Sequence, residues 1–297
     1  MSDKLDIDLP LVRHLIDTQF PQWTDLCIKP VALSGWDNRT FHLGDALSVR
    51  LPSAEGYTPQ AAKEQYWLPR LAPQLPLPVP QLVAAGQPDS RFPYQWGIYR
   101  WLNGEPAHAG PIDSMDEFAR TLAHFLRTLQ QLDTTNGPLA GQHSFFRGAP
   151  LSVYDSDTQT ALEALESEID TNLMRNIWAE ALSSDWQQPP VWFHGDVASG
   201  NLLVNNGKLS AVIDFGCCGI GDPACDLAIA WTFLPAPSRR LFRTELSPDD
   251  ATWARGRGWA LWKALITLRE HLQTGNAAKI SEARHTLEAI IGEFLVP

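Results

Sequence analysis

The chain has 297 residues, 44% of them hydrophobic and 19% charged, which is enough apolar material for one large domain or two small ones with a sizeable core. Its formal net charge of −11 argues against a nucleic-acid surface, which needs clustered Lys and Arg. No apolar run approaches the ~18 residues of a membrane span, and no basic segment followed by an apolar one opens the chain, so a soluble protein without a signal peptide is expected.

Before residue 102, short apolar runs alternate with turns, the pattern of an antiparallel sheet. Ile28 to Leu33 reads as a strand, Ser34-Gly35-Trp36-Asp37-Asn38 as a turn, and Arg39 to Leu43 as the return strand. Gly44-Asp45 turns into a third strand, Ala46 to Leu51. Here Leu47, Val49 and Leu51 share one face, and Ser48 and Arg50 share the other. Thr58 as N-cap and Pro59 at the first helical position open a helix that contains Glu64 and is limited by Pro69. A stiff proline-rich connection, Leu75 to Pro80, leads to strands at Leu82–Ala85 and Trp96–Trp101.

Beyond Leu102-Asn103-Gly104-Glu105 the pattern turns helical. Asp113 or Ser114 caps a helix whose Phe118, Leu122, Phe125, Leu129 and Leu132 recur at three and four. Residues 155 to 182 read as a second helix, with Leu162, Leu165, Ile169, Leu173 and Ile177 inward. Glu163, Glu166, Glu168 and Asp170 form its solvated face. Asp249-Asp250 starts a long Trp- and Leu-rich helix to about His271, and a last helix runs from about Ala277 to Leu295. Four cysteines are few, and Cys217, Cys218 and Cys225 do not match a zinc spacing, so buried thiols in a reducing cytoplasm are expected.

The chemistry is concentrated between these helices. An apolar run, Val191-Trp192-Phe193, delivers His194-Gly195-Asp196 to a loop, and Asn201 follows five residues later. After the strands around Asn205-Asn206-Gly207 comes Asp214-Phe215-Gly216. Phosphoryl transfer is mainly positioning plus charge neutralisation. One carboxylate that takes a hydroxyl proton, with an amide and a second carboxylate offering oxygen to Mg2+, meets that need. Protein kinases use those roles on H-R-D-x-x-x-x-N and D-F-G. Gly195 and Gly200 are expected to let the loop turn around Asp196. A two-metal hydrolase is disfavoured, because no histidine cluster follows a strand.

From His194 to Trp231 the chain resembles the aminoglycoside phosphotransferase family, the small-molecule branch of the protein-kinase-like fold. The resemblance rests on His194-Gly195-Asp196, Asn201, Ile213-Asp214-Phe215 and the tail Gly221-Asp222-Pro223-Ala224-Cys225-Asp226-Leu227-Ala228. It implies an α+β, two-lobed fold: an N-terminal nucleotide-binding lobe over 1–101, an antiparallel sheet with one helix, and a mainly helical catalytic and substrate-binding lobe over 102–297. It implies Asp196 as the catalytic base and Asn201 and Asp214 as metal ligands. Arg50 then stands where the family keeps a phosphate-binding lysine, an exchange of a point charge for a planar fork. Glu64 is the acid that orients it, with Glu55 as rival. Ser48 and Asn38 would adjoin the phosphates, Trp101 and Leu102 would meet the purine edge, and His194 and Asp226 would support the loop.

The resemblance also implies ATP or GTP, Mg2+ and a small-molecule hydroxyl acceptor, with the protein acting as a monomer or homodimer without nucleic acid or membrane. The expected activity is of the aminoglycoside or macrolide phosphotransferase type. The alternatives are a choline-, homoserine- or sugar-type metabolite kinase and a nucleotide-binding protein without turnover.

Overall fold

The computed structural model describes residues 5–31 and 37–295. Two units emerge from its contacts: Met1–Gly104 with Ala211–Gly216, and Glu105–Ser210 with Cys217–Pro297.

The first unit is built on strands β1 (Ile28–Pro30), β2 (Asn38–Leu43), β3 (Leu47–Pro52), β4 (Leu82–Gly86) and β5 (Trp96–Arg100), in the order β1-β2-β3-β5-β4. The neighbours run antiparallel, with Arg50 opposite Thr40 on β2 and Gly97 on β5. Alternation along β3 sends Leu47, Val49 and Leu51 into a core shared with Phe41, Leu43, Trp96 and Ile98. Helix α1 (Leu9–Gln19) covers that core with Val12, Leu15 and Ile16, all fully buried. Burying side chains of this size contributes about 1.5–3 kcal/mol each. Asp8 starts the helix by accepting from the Leu11 N–H at 2.9 Å.

The expectation of one helix in this part omitted α1, although Asp8 and Pro10 are an N-terminal signal. Helix α2 (Thr58–Leu71) continues through Pro69, which is exposed, where a missing amide bond costs least. Tyr57 rather than Thr58 holds its cap position, and the Thr58 hydroxyl donates back to the Glu55 carbonyl at 2.8 Å. Strand β1 ends at Pro30, and β5 ends at Arg100. Leu33 and the first three residues of the expected turn, Ser34, Gly35 and Trp36, lie outside the described residues.

The second unit holds β6 (Glu105–Pro106), β7 (Val191–Phe193), β8 (Leu202–Asn205), β10 (Gly219–Gly221) and β9 (Lys208–Val212) as far as Ser210, the last two residues of β9 belonging to the first unit. One sheet has the order β6-β8-β9, and β10 pairs with β7. Its helices are α3 (Met115–Gln130), α4 (Asp155–Ala164), α5 (Thr171–Ala181), α6 (Ile229–Thr232), α7 (Ala236–Leu246), α8 (Asp250–Thr274) and α9 (Ala277–Phe294). An antiparallel N-terminal sheet followed by a mainly helical remainder makes the chain α+β.

The single helix expected over 155–182 is two. Leu165 is buried where α4 stops, and Asp170 caps α5 by accepting from the Leu173 N–H at 3.0 Å. An acid that binds its own downstream amide favours a fresh start over a continuous helix. Glu163, Glu166, Glu168 and Asp170 are exposed, as a solvated face requires. No helix among the described residues is long and apolar enough to cross a membrane.

Candidate active site

On the first unit, the face of the sheet opposite the α1 core carries Ser48, Arg50 and Tyr99. The Arg50 Nη1 lies 3.2 Å from Glu64 Oε2 on α2, and both side chains are largely buried. The guanidinium stands over the Tyr99 ring, 5.3 Å from its centroid. Burial works against the charge, but Glu64 first, then Tyr99, Asp214 and Asp37, outweigh it and raise the Arg50 pKa above its ordinary value. The Tyr99 hydroxyl is pushed up by burial and then by Glu64.

Gly97, directly across from Arg50, is required by close approach: a Cβ there would sit 2.6 Å from the Tyr99 ring. Ser48 is buried between His42 and Tyr99, its partners in register. Asn38 begins β2 opposite Pro52.

Asp214 belongs to this unit as well, on the segment Ala211–Gly216, which the Val212 N–H ties to the Pro78 carbonyl at 3.1 Å. Its φ of 68° is the left-handed conformation that Asp tolerates better than most residues. A Cβ on Gly216 would lie 3.1 Å from Gln60 Oε1 and 3.4 Å from Asp214 Oδ1, so α2 contributes Gln60 here beside Glu64 one turn on. The Trp101 N–H donates to the Ala46 carbonyl at 2.9 Å and is therefore not a free donor for a purine edge. The Leu102 amide and the Trp101 carbonyl are the groups left for that role.

On the second unit, Trp192 and Phe193 of β7 are fully buried and fix where the following loop starts. Asp226 grips that loop with both oxygens, Oδ2 accepting from the His194 N–H and Oδ1 from the Gly195 N–H, each at 2.7 Å. Burial raises the Asp226 pKa; the His194 charge and the two amides oppose the rise. The Asp196 N–H donates to His194 Nδ1 at 3.1 Å, so the imidazole shapes the loop. Asn201 Nδ2 donates to the Asp196 backbone carbonyl at 3.0 Å and to Asp196 Oδ2 at 2.9 Å. That leaves the amide oxygen of Asn201 as the acceptor still on offer.

Gly195 has a φ of +86°, and a Cβ on it would lie 2.7 Å from the Cys217 carbonyl, so no other residue fits without strain. Gly200 is different: it has an ordinary φ, and the nearest atom to a Cβ there is His108 Cε1 at 3.9 Å. The tight turn does not depend on it.

A family model described as the phosphotransferase enzyme family matches residues 28–259. The chain belongs to the phosphotransferase enzyme family. It is 30% identical over 136 residues to an aminoglycoside 3'-phosphotransferase of Escherichia coli and 28% identical over 150 residues to one of Salmonella typhimurium. Each match covers 44% of this chain and 50% of the relative, so the chain spans about half the length of these relatives. The fold is similar to that of the GDP complex of aminoglycoside 2'-phosphotransferase-IIIa, with a TM-score of 0.70 at 20% identity, covering 97% of this chain and all of the other. It is also similar to that of a macrolide 2'-phosphotransferase from Brachybacterium faecium, with a TM-score of 0.62 at 23% identity, covering 92% and 97%.

In this member of the phosphotransferase enzyme family, Arg50, Glu64 and Asp214 are gathered on the first unit, and His194, Asp196, Asn201 and Asp226 on the second. Sequence reasoning missed Gln60 and Tyr99, which reach Asp214 and Arg50 from other elements. It also missed Lys263 on α8. Lys263 keeps contact with solvent, yet burial first and the Arg147 charge second lower its ammonium pKa, while Asp196 raises it. Its only linear signal was the spacing Trp259-x-x-Trp262-Lys263, which puts three large groups on one helix face.

Proposed function

We propose that the protein transfers the terminal phosphoryl group of a nucleoside triphosphate, ATP or GTP, to a hydroxyl of a small molecule. The observation that carries this reading is the Asp196 carboxylate, fixed by Asn201 on a loop that Asp226 holds through two backbone amides. A carboxylate held in that way is a preorganised acceptor for a hydroxyl proton. In the reaction, the acceptor oxygen forms the new bond to phosphorus, the bond to the diphosphate breaks, and the hydroxyl proton passes to Asp196.

The donor set fits the groups such a reaction needs. The Asn201 amide oxygen and the Asp214 carboxylate are hard oxygen ligands suited to Mg2+. Mg2+ bound by them would neutralise charge on the phosphate oxygens. Arg50, steadied by Glu64 and Tyr99, offers a guanidinium whose remaining N–H groups make no other hydrogen bond among the described residues, and it would grip phosphate. Ser48 and Asn38 would adjoin it, and Trp101 and Leu102 would meet the base.

Relatives bring two acceptor classes. Kanamycin, gentamicin and streptomycin stand in the descriptions of similar aminoglycoside enzymes, and macrolides in others. A metabolite kinase of the homoserine or sugar type is the second reading, favoured by Lys263, a cation on which Asp196 acts. A cytoplasmic site of action fits the low cysteine count.

The test is Asp196→Ala, assayed by nucleoside diphosphate release across aminoglycosides, macrolides and hydroxylated metabolites. Loss of a positioned base should lower kcat by roughly 10²–10⁴-fold or more, with nucleotide affinity nearly intact. A variant that turns over at the wild-type rate rejects the assignment. Nucleotide binding without turnover in the wild type would favour a non-catalytic role.

A further inference from the structure

If Asp196 receives the acceptor hydroxyl, as the phosphotransferase reading requires, the groups around it on its own unit decide what else the acceptor carries. Helix α8 turns Trp259, Trp262 and Lys263 to one face. Tyr154, on the turn just before α4, stacks on Trp262 with centroids 3.9 Å apart and meets Trp259 edge-on at 5.6 Å. Over both indoles lies the Arg147 guanidinium, 5.1 Å from the Trp262 ring and 5.6 Å from the Trp259 ring. An aromatic platform of this kind holds a guanidinium without neutralising it.

The hydrogen bonds say the same. Arg147 Nη1 donates to the Phe145 carbonyl at 3.2 Å and to the Tyr154 hydroxyl at 3.3 Å, and its Nε and Nη2 donate to no protein group among the described residues. The indoles offer Arg147 no acceptor, and the Trp259 and Trp262 N–H groups are themselves buried without a hydrogen-bond partner among the described residues. Lys263 forms no ion pair among the described residues either, and its charge is felt by both Arg147 and Asp196. The carboxylates in electrostatic reach are Asp196 and then Glu270 at Lys263, Asp157 at Tyr154, and Asp226 and Asp222, which act on Cys225 together with Arg147.

The cluster adjoins the catalytic loop. The Gly148 carbonyl, next to Arg147, accepts from the Asp222 N–H at 2.9 Å, and Phe193, which packs on Gly148, immediately precedes His194. The segment that presents Arg147 is held in a costly shape: Phe145 and Phe146 have φ of 49° and 56°, and the Phe193 ring occupies the place of a Cβ on Gly148. Such strain persists only where the surroundings fix it. Phe145 and Phe146, which precede Arg147 in the chain, are 42% and 40% exposed.

We propose that Arg147 and Lys263 form an acceptor subsite for an oxyanion, a carboxylate or a phosphate, carried on an apolar scaffold whose hydroxyl reaches Asp196. Polycationic acceptors are repelled there.

Three isosteric alcohols test it by calorimetric titration: 4-(hydroxymethyl)benzoate, 4-(hydroxymethyl)phenyl phosphate and 4-(hydroxymethyl)benzylamine. At least one of the two anions should bind about tenfold or more tightly than the amine, and the tighter of the two names the oxyanion. Lys263→Met and Arg147→Gln should each collapse that preference, and should raise KM for the preferred alcohol far more than they lower kcat. Lys263→Met, on the exposed side of a long helix, keeps the test open should Arg147→Gln fail to fold.

Equal or tighter binding of the amine, no binding of any of the three, or a preference that survives both substitutions overturns the subsite. The phosphotransferase reading is judged separately, by nucleotide binding and by slow nucleotide hydrolysis that Asp196→Ala removes. If those hold while the anion preference fails, only the subsite falls.

Discussion

Arginine at position 50 changes how the side of the sheet opposite α1 is held together. Lysine is a compact point charge, whereas guanidinium can face Glu64 with one edge, rest on Tyr99 with its plane and still present donors. The pair is mostly buried, so removing one charge costs more than the pair itself contributes. Arg50→Ala should destabilise the protein by about 3–5 kcal/mol, because the buried Glu64 carboxylate loses its facing cation. Arg50→Met with Glu64→Leu should recover most of that stability and still lose nucleotide affinity. Urea unfolding paired with nucleotide titration checks both halves. An Arg50→Ala protein as stable as wild type would show that the pair is not held as the geometry indicates.

At the same scale, the legible residues were those that one loop carries together. Asp196 and Asn201 meet because only four residues separate them, and spacing alone conveys that. Gln60, Tyr99 and Lys263 arrive from other elements, so no local pattern pointed to them. The glycines divide in the same way. Both look like turn residues in the sequence, but only Gly195 faces a carbonyl 2.7 Å from where its side chain would start.

Among the elements, α8 braces the turn that holds the loop from His194 to Asp196. Its Arg255 donates from Nε to Asp222 Oδ2 at 2.7 Å, with both side chains almost fully buried. Asp222 also caps the turn that begins at Pro223 by accepting from the Ala224 N–H at 3.0 Å, and that turn carries Asp226. Burial raises the Asp222 pKa even against the Arg255 hydrogen bond and charge, which shows how strongly the carboxylate depends on its partner. Arg255→Leu should therefore cost about 3–5 kcal/mol, by leaving a buried acid uncompensated. It should also lower kcat, since Asp226 then holds His194 and Gly195 less firmly. Thermal melting and turnover measured together test this; a full loss of stability with kcat intact in the folded fraction would uncouple the pair from the loop.

The lengths of the long helices α3, α8 and α9 were legible because apolar periodicity and caps agree along them. The break between α4 and α5 was not, because Leu165, Ile169 and Leu173 keep a helical spacing across it while Asp170 starts a new cap.

At the scale of the whole molecule, the informative fact is that the chain visits the first unit twice. A linear reading places one boundary near residue 102. The contacts return Ala211–Gly216 to the first unit, and the tie between Val212 and Pro78 joins residues far apart in sequence, beyond the reach of any local signal. That return places Asp214 on the same unit as Arg50, close enough to act on its charge. Under the proposed function, the parts of Arg50 and Asp214 in phosphate and metal binding can therefore be separated by substitutions within one unit.

A nucleotide at 100 times its Kd should add about 2.7 kcal/mol of stability, read as a rise in Tm. With ATP alone, Asp214→Asn should keep the shift that Arg50 supplies. With ATP and Mg2+ together, wild type should gain a further increment that Asp214→Asn lacks. Survival of that Mg2+-dependent increment in the variant would remove Asp214 from the metal site and leave Asn201 as the remaining ligand of the proposed pair.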